Sequence, residues 1–250
     1  MATKTSRKRL DVLLVERGLA ESPQKALAMI LAGEVQVDGQ RASAAGAAIS
    51  SDARIALNSR AQQYASRGGV KLAGALDDFA IDPGGRICLD IGSSTGGFTD
   101  CLLQRGAARV YAVDVNVAQL AWELQQNPRV IRVERNAREL TRADIPELAD
   151  LVVLDVSFIS VARVLAPAVA CARDGADFMI LVKPQFELRR EEIAEGGIVA
   201  DRALHEKAIA SVRAAAEKTG LLVLNVRPSK LTGAEGNQEY FLHARKNPLE

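Results

Sequence analysis

The sequence predicts an open α/β body built on a mostly parallel sheet, preceded by a small α+β module. Three observations predict it. From Arg86 onward, short apolar runs alternate with helix-length amphipathic stretches, the pattern of strands covered on both faces by crossover helices. The first of these runs, Ile87 to Ile91, ends in a glycine-rich turn and leads into a helix from Gly97, a strand–loop–helix unit that holds ligands beyond the carboxyl ends of the strands. The amino-terminal stretch has a different charge balance: residues 1–60 hold nine Lys/Arg against six Asp/Glu, whereas residues 61–250 hold 23 against 25.

The chain has 250 residues, enough for one large and one small domain, and is 48% hydrophobic and 25% charged, as expected of a globular protein. No run of about 18 apolar residues is present, so no membrane span is expected. The charged start is not followed by the apolar segment of a secretory signal. Cys88, Cys101 and Cys171 each fall inside an apolar element. They read as buried thiols of a reducing, cytoplasmic compartment, and with two histidines and no Cys-x-x-Cys a metal site has little to build on.

In chain order, Leu10, Leu13 and Leu14 mark a helix stopped by Gly18. Ser22-Pro23 starts a second, since a capping residue followed by proline is a helix-start pattern, with Ala26, Leu27, Ile30 and Leu31 as its expected buried face. Val35 to Val37 alternates as a strand, Asp38-Gly39 is a tight turn, 44–49 reads as loop, and Arg54 to Leu57 is a further strand. Residues 1–58 form the small module. Residues 59–67 read as a linker, with Gly68-Gly69 interrupting regular structure just before Lys71. Leu72, Ala75, Leu76 and Phe79 then share a helix face. In the body, 68–250, strands are expected at 87–91, 109–113, 129–133, 150–155, 177–182, 221–227 and near 238–244. Helices are expected at 97–105, 116–125, 160–173 and 203–219.

Arg9-Leu-Asp11, Leu14, Gly18, Ser22, Ala26, Ile30, Gly33, Val35, Val37 and Asp38-Gly39 resemble an S4 domain, a small RNA-binding fold, although Pro23-Gln24 stands where such domains usually have arginine. Lys8, Arg9 and Lys25, together with Arg67 at the end of the linker, are the candidate cations for RNA phosphates.

The body's site is read from strand ends. The glycine spacing is Asp90-x-Gly92-x-x-x-Gly96-Gly97, neither the dinucleotide fingerprint nor a P-loop. Asp90 places a carboxylate that suits a cationic group, and Gly92, Ser93, Ser94, Thr95, Gly96, Gly97, Phe98 and Thr99 form the loop and helix start around a small ligand. Asp114, at the end of the second strand, is placed for the two hydroxyls of a ribose, and Asn136, after the third, for an adenine. The set fits S-adenosylmethionine, with an NAD or nucleotide site of similar shape as the alternative. Asp155 and Lys183 close two further strands, Glu239 precedes the last, and Lys71 follows the double glycine. Lysines at buried strand ends need partners. Two lysines and two acids beside a cofactor crevice make either a reaction centre or a structural ion-pair cluster.

These four match the Lys-Asp-Lys-Glu set of the FtsJ-like ribose 2′-O-methyltransferases. With the S4 module in front, the chain resembles the TlyA family of ribosomal RNA methyltransferases, a family that has also carried a haemolysin label. The motifs are Ser66-Arg-Gly-Gly-Val-Lys-Leu72, Leu89-Asp-Ile-Gly-Ser-Ser-Thr-Gly-Gly-Phe-Thr99, Gln119-Leu-Ala-Trp122, Asp155-Val-Ser-Phe-Ile-Ser160, Leu181-Val-Lys-Pro-Gln-Phe-Glu187 and Gly236-Asn-Gln-Glu-Tyr-Phe241. The resemblance implies a Rossmann-like class I S-adenosylmethionine-dependent sheet and methylation of a cytidine ribose in ribosomal RNA. Because the sequence ends nine residues beyond Phe241, the large-subunit 23S RNA is favoured, with 16S RNA as a further target. It implies Lys71, Asp155, Lys183 and Glu239 as the catalytic set, Lys183 accepting or steering the proton of the ribose hydroxyl, with Asp155 also at the cofactor. A pore former and a non-catalytic ribosome-binding factor are the competing classes. A monomer is expected.

Overall fold

The computed structural model describes residues 7–31, 33–42, 44–57, 63–194, 196–233 and 235–247. They form two compact units that divide between Gln63 and Tyr64. Residues 59–62 of the expected linker lie outside the described residues.

The first unit contains β1 (Arg7–Arg9), α1 (Leu10–Glu16), α2 (Pro23–Leu31), β2 (Val35–Val37), β3 (Gln40–Arg41), β4 (Ala48–Ser50) and β5 (Ile55–Leu57). Proline begins α2, and the Ser22 hydroxyl accepts the Lys25 backbone N–H at 3.2 Å. Asp38 and Gly39 turn the chain with φ of 50° and 82°, which lets β2 pair antiparallel with β3 while β5 takes its other edge. Two expectations are corrected here. The core side of α2 is Ala26, Met29 and Ile30, and Leu27 and Leu31 are exposed, because a buried stripe at i, i+3 and i+4 leaves them one position around the helix. The stretch read as loop over 44–49 contributes to β4, which pairs antiparallel with β1. Its run of alanines carries no strand alternation, and backbone pairing makes the element.

The second unit runs through α3 (Arg67–Phe79), β6 (Ile87–Ile91), α4 (Gly97–Gln104), β7 (Arg109–Asp114), α5 (Trp122–Gln125), β8 (Val130–Glu134), β9 (Ala149–Leu154), α6 (Ala162–Ala170), β10 (Ala172–Val182), α7 (Pro184–Glu187), α8 (Arg202–Lys218), β11 (Leu221–Pro228) and β12 (Tyr240–Lys246). Its sheet has the order β11-β12-β10-β9-β6-β7-β8. The neighbours from β10 to β8 are parallel, and β12 lies antiparallel between β10 and β11. Alternation along β6 sends Leu89 and Ile91 to one apolar layer and Cys88 to the other. All three cysteines are buried free thiols, and burial pushes Cys88 and Cys101 up to about 12.

β10 starts at Ala172, ahead of the strand expected at 177–182, and α7 is an additional helix. Two further stretches depart from the sequence pattern. The helix expected over 116–125 splits into a short 3₁₀ turn at Val117–Gln119 and α5. The Asn116 side chain caps the 3₁₀ turn through the Ala118 N–H, and the Gln125 amide ties off the Leu120 carbonyl at 2.7 Å. Second, α3 begins at Arg67 and passes through Gly68-Gly69 without interruption. Gly69 serves packing: a Cβ there would strike the Tyr64 side chain and come within 2.7 Å of the Gly97 carbonyl oxygen, while one on Gly97 would meet Ser66. The amino-terminal ends of α3 and α4 therefore touch, backbone to backbone.

Candidate active site

The order of strands in the sheet reverses at β6 and β9, and their carboxyl ends open the crevice where ligands of such sheets bind. After β6 the chain turns at Gly92, whose φ is 85°. A Cβ there would collide with the carbonyl oxygen of Asp155, so glycine is required both for the conformation and for contact with the end of β9. Backbone N–H groups of Gly92 and Ser93 both donate to the Val113 carbonyl, at 2.9 and 3.1 Å. The loop is thereby tied to the end of β7. One Asp114 carboxylate oxygen accepts the Ser94 N–H at 2.9 Å and the other the Asn116 N–H at 3.1 Å. Gly96, with φ of 94°, lies against Leu124 of α5, and the Thr95 carbonyl accepts the Ala121 N–H at 3.1 Å.

Asp90 lies beneath this loop. It is fully buried, one carboxylate oxygen accepts the Thr99 hydroxyl at 2.6 Å, and the other has no hydrogen-bond partner among the described residues. Burial pushes its pKa up to about 7, against the opposing hydrogen bond from Thr99. The buried Ser93 hydroxyl is likewise without a partner among the described residues.

A cleft of about 180 Å³ opens above, lined by Ser66, Arg67, Gly68, Lys71, Gly92, Ser93, Ser94, Thr95, Gly97, Phe98, Asp155 and Thr232. That volume is below the ~300 Å³ lower end for pockets that enclose a whole cofactor-sized ligand. It suits one end of such a molecule. Asp114 and Asn136 are outside its lining, and the Asn136 side chain accepts from the Arg138 N–H at 3.1 Å. Asp90, Gly96 and Thr99 support the loop from below or behind.

The two lysines and two acids of the candidate catalytic set form two ion pairs at this end of the sheet. The Lys71 amine, from α3, meets the Glu239 carboxylate at 2.6 Å, with side chains 11% and 3% exposed. The Lys183 amine meets Asp155 at 2.5 Å and donates to the Ser157 hydroxyl at 2.8 Å. It also lies 5.9 Å from the centre of the Phe186 ring. Strand register brings the pairs to one end: Val182 of β10 faces Tyr240 of β12, so the residue after one strand adjoins the residue before the other. Lys71 and Asp155, one from each pair, line the same cleft.

Among the candidate RNA contacts, Lys8 and Arg9 lie on β1 and pair with Glu16 and Asp11, each at 2.7 Å, while Lys25 is exposed on α2. Arg67 lines the cleft of the second unit. Sequence reasoning missed Ser157, Ser66, Gly68 and Thr232. Ser157 sits two residues past Asp155, where the segment leaving β9 bends back toward Lys183. The others have no signal beyond their neighbours. Phe158, next in that segment, has φ of 66°, is 88% exposed and packs its ring 5.3 Å from that of Phe186.

Residues 64–246 match the model of the FtsJ-like methyltransferases, and residues 8–55 match the S4 domain. The chain is 47% identical over 241 residues to the 16S/23S rRNA (cytidine-2′-O)-methyltransferase TlyA of Mycobacterium tuberculosis, covering 96% of this chain and 90% of that one. It is 39% identical over 238 residues to Hemolysin A of Brachyspira hyodysenteriae, covering 94% and 98%. A solved structure from Streptococcus thermophilus, named as a candidate hemolysin, superposes with a TM-score of 0.76 at 38% identity, covering 97% and 90%.

Proposed function

The chain belongs to the FtsJ-like methyltransferase family, in the branch that carries an S4 domain and includes TlyA, and from that premise we propose that it methylates the 2′-hydroxyl of a cytidine in ribosomal RNA. The observation that carries the reading is the convergence of the Lys71–Glu239 and Lys183–Asp155 pairs with the glycine loop at one cleft.

The residues present fit S-adenosylmethionine. Gly92 and Gly97 leave room that a Cβ would fill, and Asp90 and Ser93 hold unsatisfied polar atoms beside or beneath the loop. Ser93, Ser94, Thr95 and Phe98 would hold the donor's amino-acid end, with Asp114 and Asn136 toward its nucleoside. When bound, the donor supplies a methyl group already activated by its sulfonium. What the protein adds is alignment and control of a proton. Lys183 would steer or accept the proton that the ribose hydroxyl gives up as its oxygen displaces the neutral thioether from the methyl carbon. Asp155 fixes the direction of the Lys183 amine, and Glu239 does so for Lys71. Arg67, at the rim, is placed for an RNA phosphate, and Lys8, Arg9 and Lys25 give the S4 unit its basic face. The exposed Phe158 ring offers a face on which an unstacked base can lie.

Large-subunit RNA is the favoured target, with the small subunit second; the relative at 47% identity is named for both. The protein is proposed to work as a monomer in the cytoplasm, where ribosomal RNA is met. The hemolysin name borne by two of the similar proteins motivates one alternative, a lytic activity. No helix among the described residues is long and apolar enough to cross a membrane.

The test is methyl transfer from labelled S-adenosylmethionine to unmodified ribosomal RNA and subunits, with the alkali-resistant linkage mapped. Lys183→Ala should abolish transfer while donor binding, followed by calorimetry, is kept. Transfer near the wild-type rate in that variant would remove Lys183 from the mechanism, and red-cell lysis by lipid-free protein that persists in it would favour the lytic reading.

A further inference from the structure

The segment between β9 and α6 carries Asp155, Ser157 and Phe158, and it is fastened to α7 twice. At the near end, Lys183, the residue before α7, holds Asp155 and Ser157. At the far end, Glu187, the last residue of α7, accepts the Ser160 hydroxyl at 2.5 Å on one carboxylate oxygen and the Val161 backbone N–H at 2.8 Å on the other. Lys183 and Glu187 stand four residues apart on one turn of helix, and their partners span the length of the intervening segment. Within that span Phe158 adopts a left-handed φ and exposes its ring. Val156, Ile159 and Val161 of the segment pack into the core, and Ser157 and Phe158 stand exposed between them, away from that anchorage.

Resting on the reading that Lys183 manages the ribose proton, we propose that Glu187 is a positioning residue for the reaction: its clasp on Ser160 and Val161 holds the segment so that Asp155 and Ser157 meet the Lys183 amine. Burial raises the pKa of Glu187, opposed by the hydrogen bonds from Ser160 and Val161.

The experiment compares Glu187→Ala, Glu187→Asp and Glu187→Gln with Val110→Ala, a core truncation on β7, which β6 separates from β9. The readouts are Tm, donor affinity by calorimetry, kcat and KM on ribosomal RNA, and the rate at which an amine-reactive ester labels Lys183 in the free protein, resolved by mass spectrometry. Glu187→Ala is expected to lower kcat by about 30- to 100-fold, the scale of an ångström-level misplacement, with donor affinity and KM nearly unchanged. Its Lys183 labelling should rise several-fold as the segment loosens. Glu187→Asp, one methylene short, should behave like Glu187→Ala. Glu187→Gln keeps an acceptor for the Val161 N–H and a donor for Ser160. It should retain most of kcat, slow labelling and a Tm at or above wild type. Val110→Ala should lower Tm while leaving kcat and labelling near wild type. Unchanged Lys183 labelling in Glu187→Ala would overturn the proposal, as would a loss of kcat that Val110→Ala matches at equal Tm. If Glu187→Ala does not fold, Ser160→Ala opens the same clasp and is held to the same outcomes. Labelling needs no turnover, so an inactive wild type would refute the methyltransferase reading and leave the clasp to be decided by labelling.

Discussion

Asp90→Asn probes the floor of the donor loop through its pH dependence. The Asp90 carboxyl is fully buried, and its pKa is displaced from 3.8 to about 7. Its folded-state value is raised above the unfolded one, so folding takes up a proton between the two. Well below pH 3.8 the group is neutral in both states and costs nothing. The cost of keeping it protonated in the fold while the unfolded chain ionises grows as pH rises toward 7 and is constant above. At about 1.36 kcal/mol per pKa unit, the ceiling is about 4 kcal/mol, and about 2.5 kcal/mol of it accrues between pH 5 and pH 8. Asparagine keeps an acceptor for the Thr99 hydroxyl and removes the ionisation. Its amide takes the place of the unpartnered oxygen, at roughly 1–3 kcal/mol for an unsatisfied buried donor. That penalty does not vary with pH, and titrations common to both proteins cancel. Urea denaturation of wild type and Asp90→Asn at pH 5 and pH 8 should therefore show stability shifting in favour of the variant by about 2.5 kcal/mol as pH rises. A difference that stays within about 0.5 kcal/mol across that range, or moves the other way, would refute the assignment of Asp90 as a carboxyl poised near neutrality.

Gly92→Ala must place a methyl into the Asp155 carbonyl at a φ of 85°. It should lose about 3 kcal/mol or more of stability and most of its affinity for S-adenosylmethionine, read by thermal denaturation and calorimetry. Asp177→Asn should lose about 3–5 kcal/mol at neutral pH, as expected when one partner of a buried charge cluster is removed. Burial alone would raise the Asp177 pKa, but hydrogen bonds from His243, Arg86 and Arg245 outweigh it and hold the carboxyl well below the usual range. Its stabilisation is present above the unfolded-state pKa and fades as pH falls below it, so the deficit of Asp177→Asn should shrink in denaturation curves taken in acid.

The parallel core was legible because its strands are apolar on both faces and end in residues that a core would not choose: Asp90, Asp114, Asp155 and Lys183. What stayed hidden has a physical reason in each case. Gly68-Gly69 reads locally as a break, since glycine weakens isolated helices, yet close approach of α3 to Gly97 demands it inside the helix. Leu27 and Leu31 satisfy a hydrophobic pattern that leaves open which side of α2 meets the core. Asp90 was legible as a strand-end carboxylate, but not that it would lie beneath the loop with Thr99. That depends on the path of α4, and no spacing rule encodes it. Ser157 and Glu187 lie inside readable motifs, but their pairing with Lys183 and Ser160 exists only once β9 and β10 are neighbours.

The placement of Glu239 raises a separate problem of register. Asp155 and Lys183 follow their strands, and parallel neighbours bring both to one end of the sheet. Glu239 precedes its strand and reaches that end only because β12 runs antiparallel, paired with β10 from Asp177↔Arg245 to Val182↔Tyr240. In most sheets an exposed polar face fixes such a pairing, because a one-residue slip turns every side chain over. Here Phe241 is buried in one apolar layer and Leu242 and Ala244 in the other, so apolar alternation discriminates weakly between registers. Polar matches at the two ends of the pair can supply what the apolar faces do not. At one end Asp177 accepts from His243 at 2.9 Å and from Arg245 at 2.9 and 3.1 Å. At the other, Glu239 meets Lys71. A slip of one residue would take His243 and Arg245 from the buried Asp177, leaving it Arg86, and withdraw Glu239 from Lys71 together. The charge cluster at the start of the β10–β12 pairing and the reaction centre at the carboxyl end of β10 are thus two ends of one constraint, and the first secures the geometry on which the second depends.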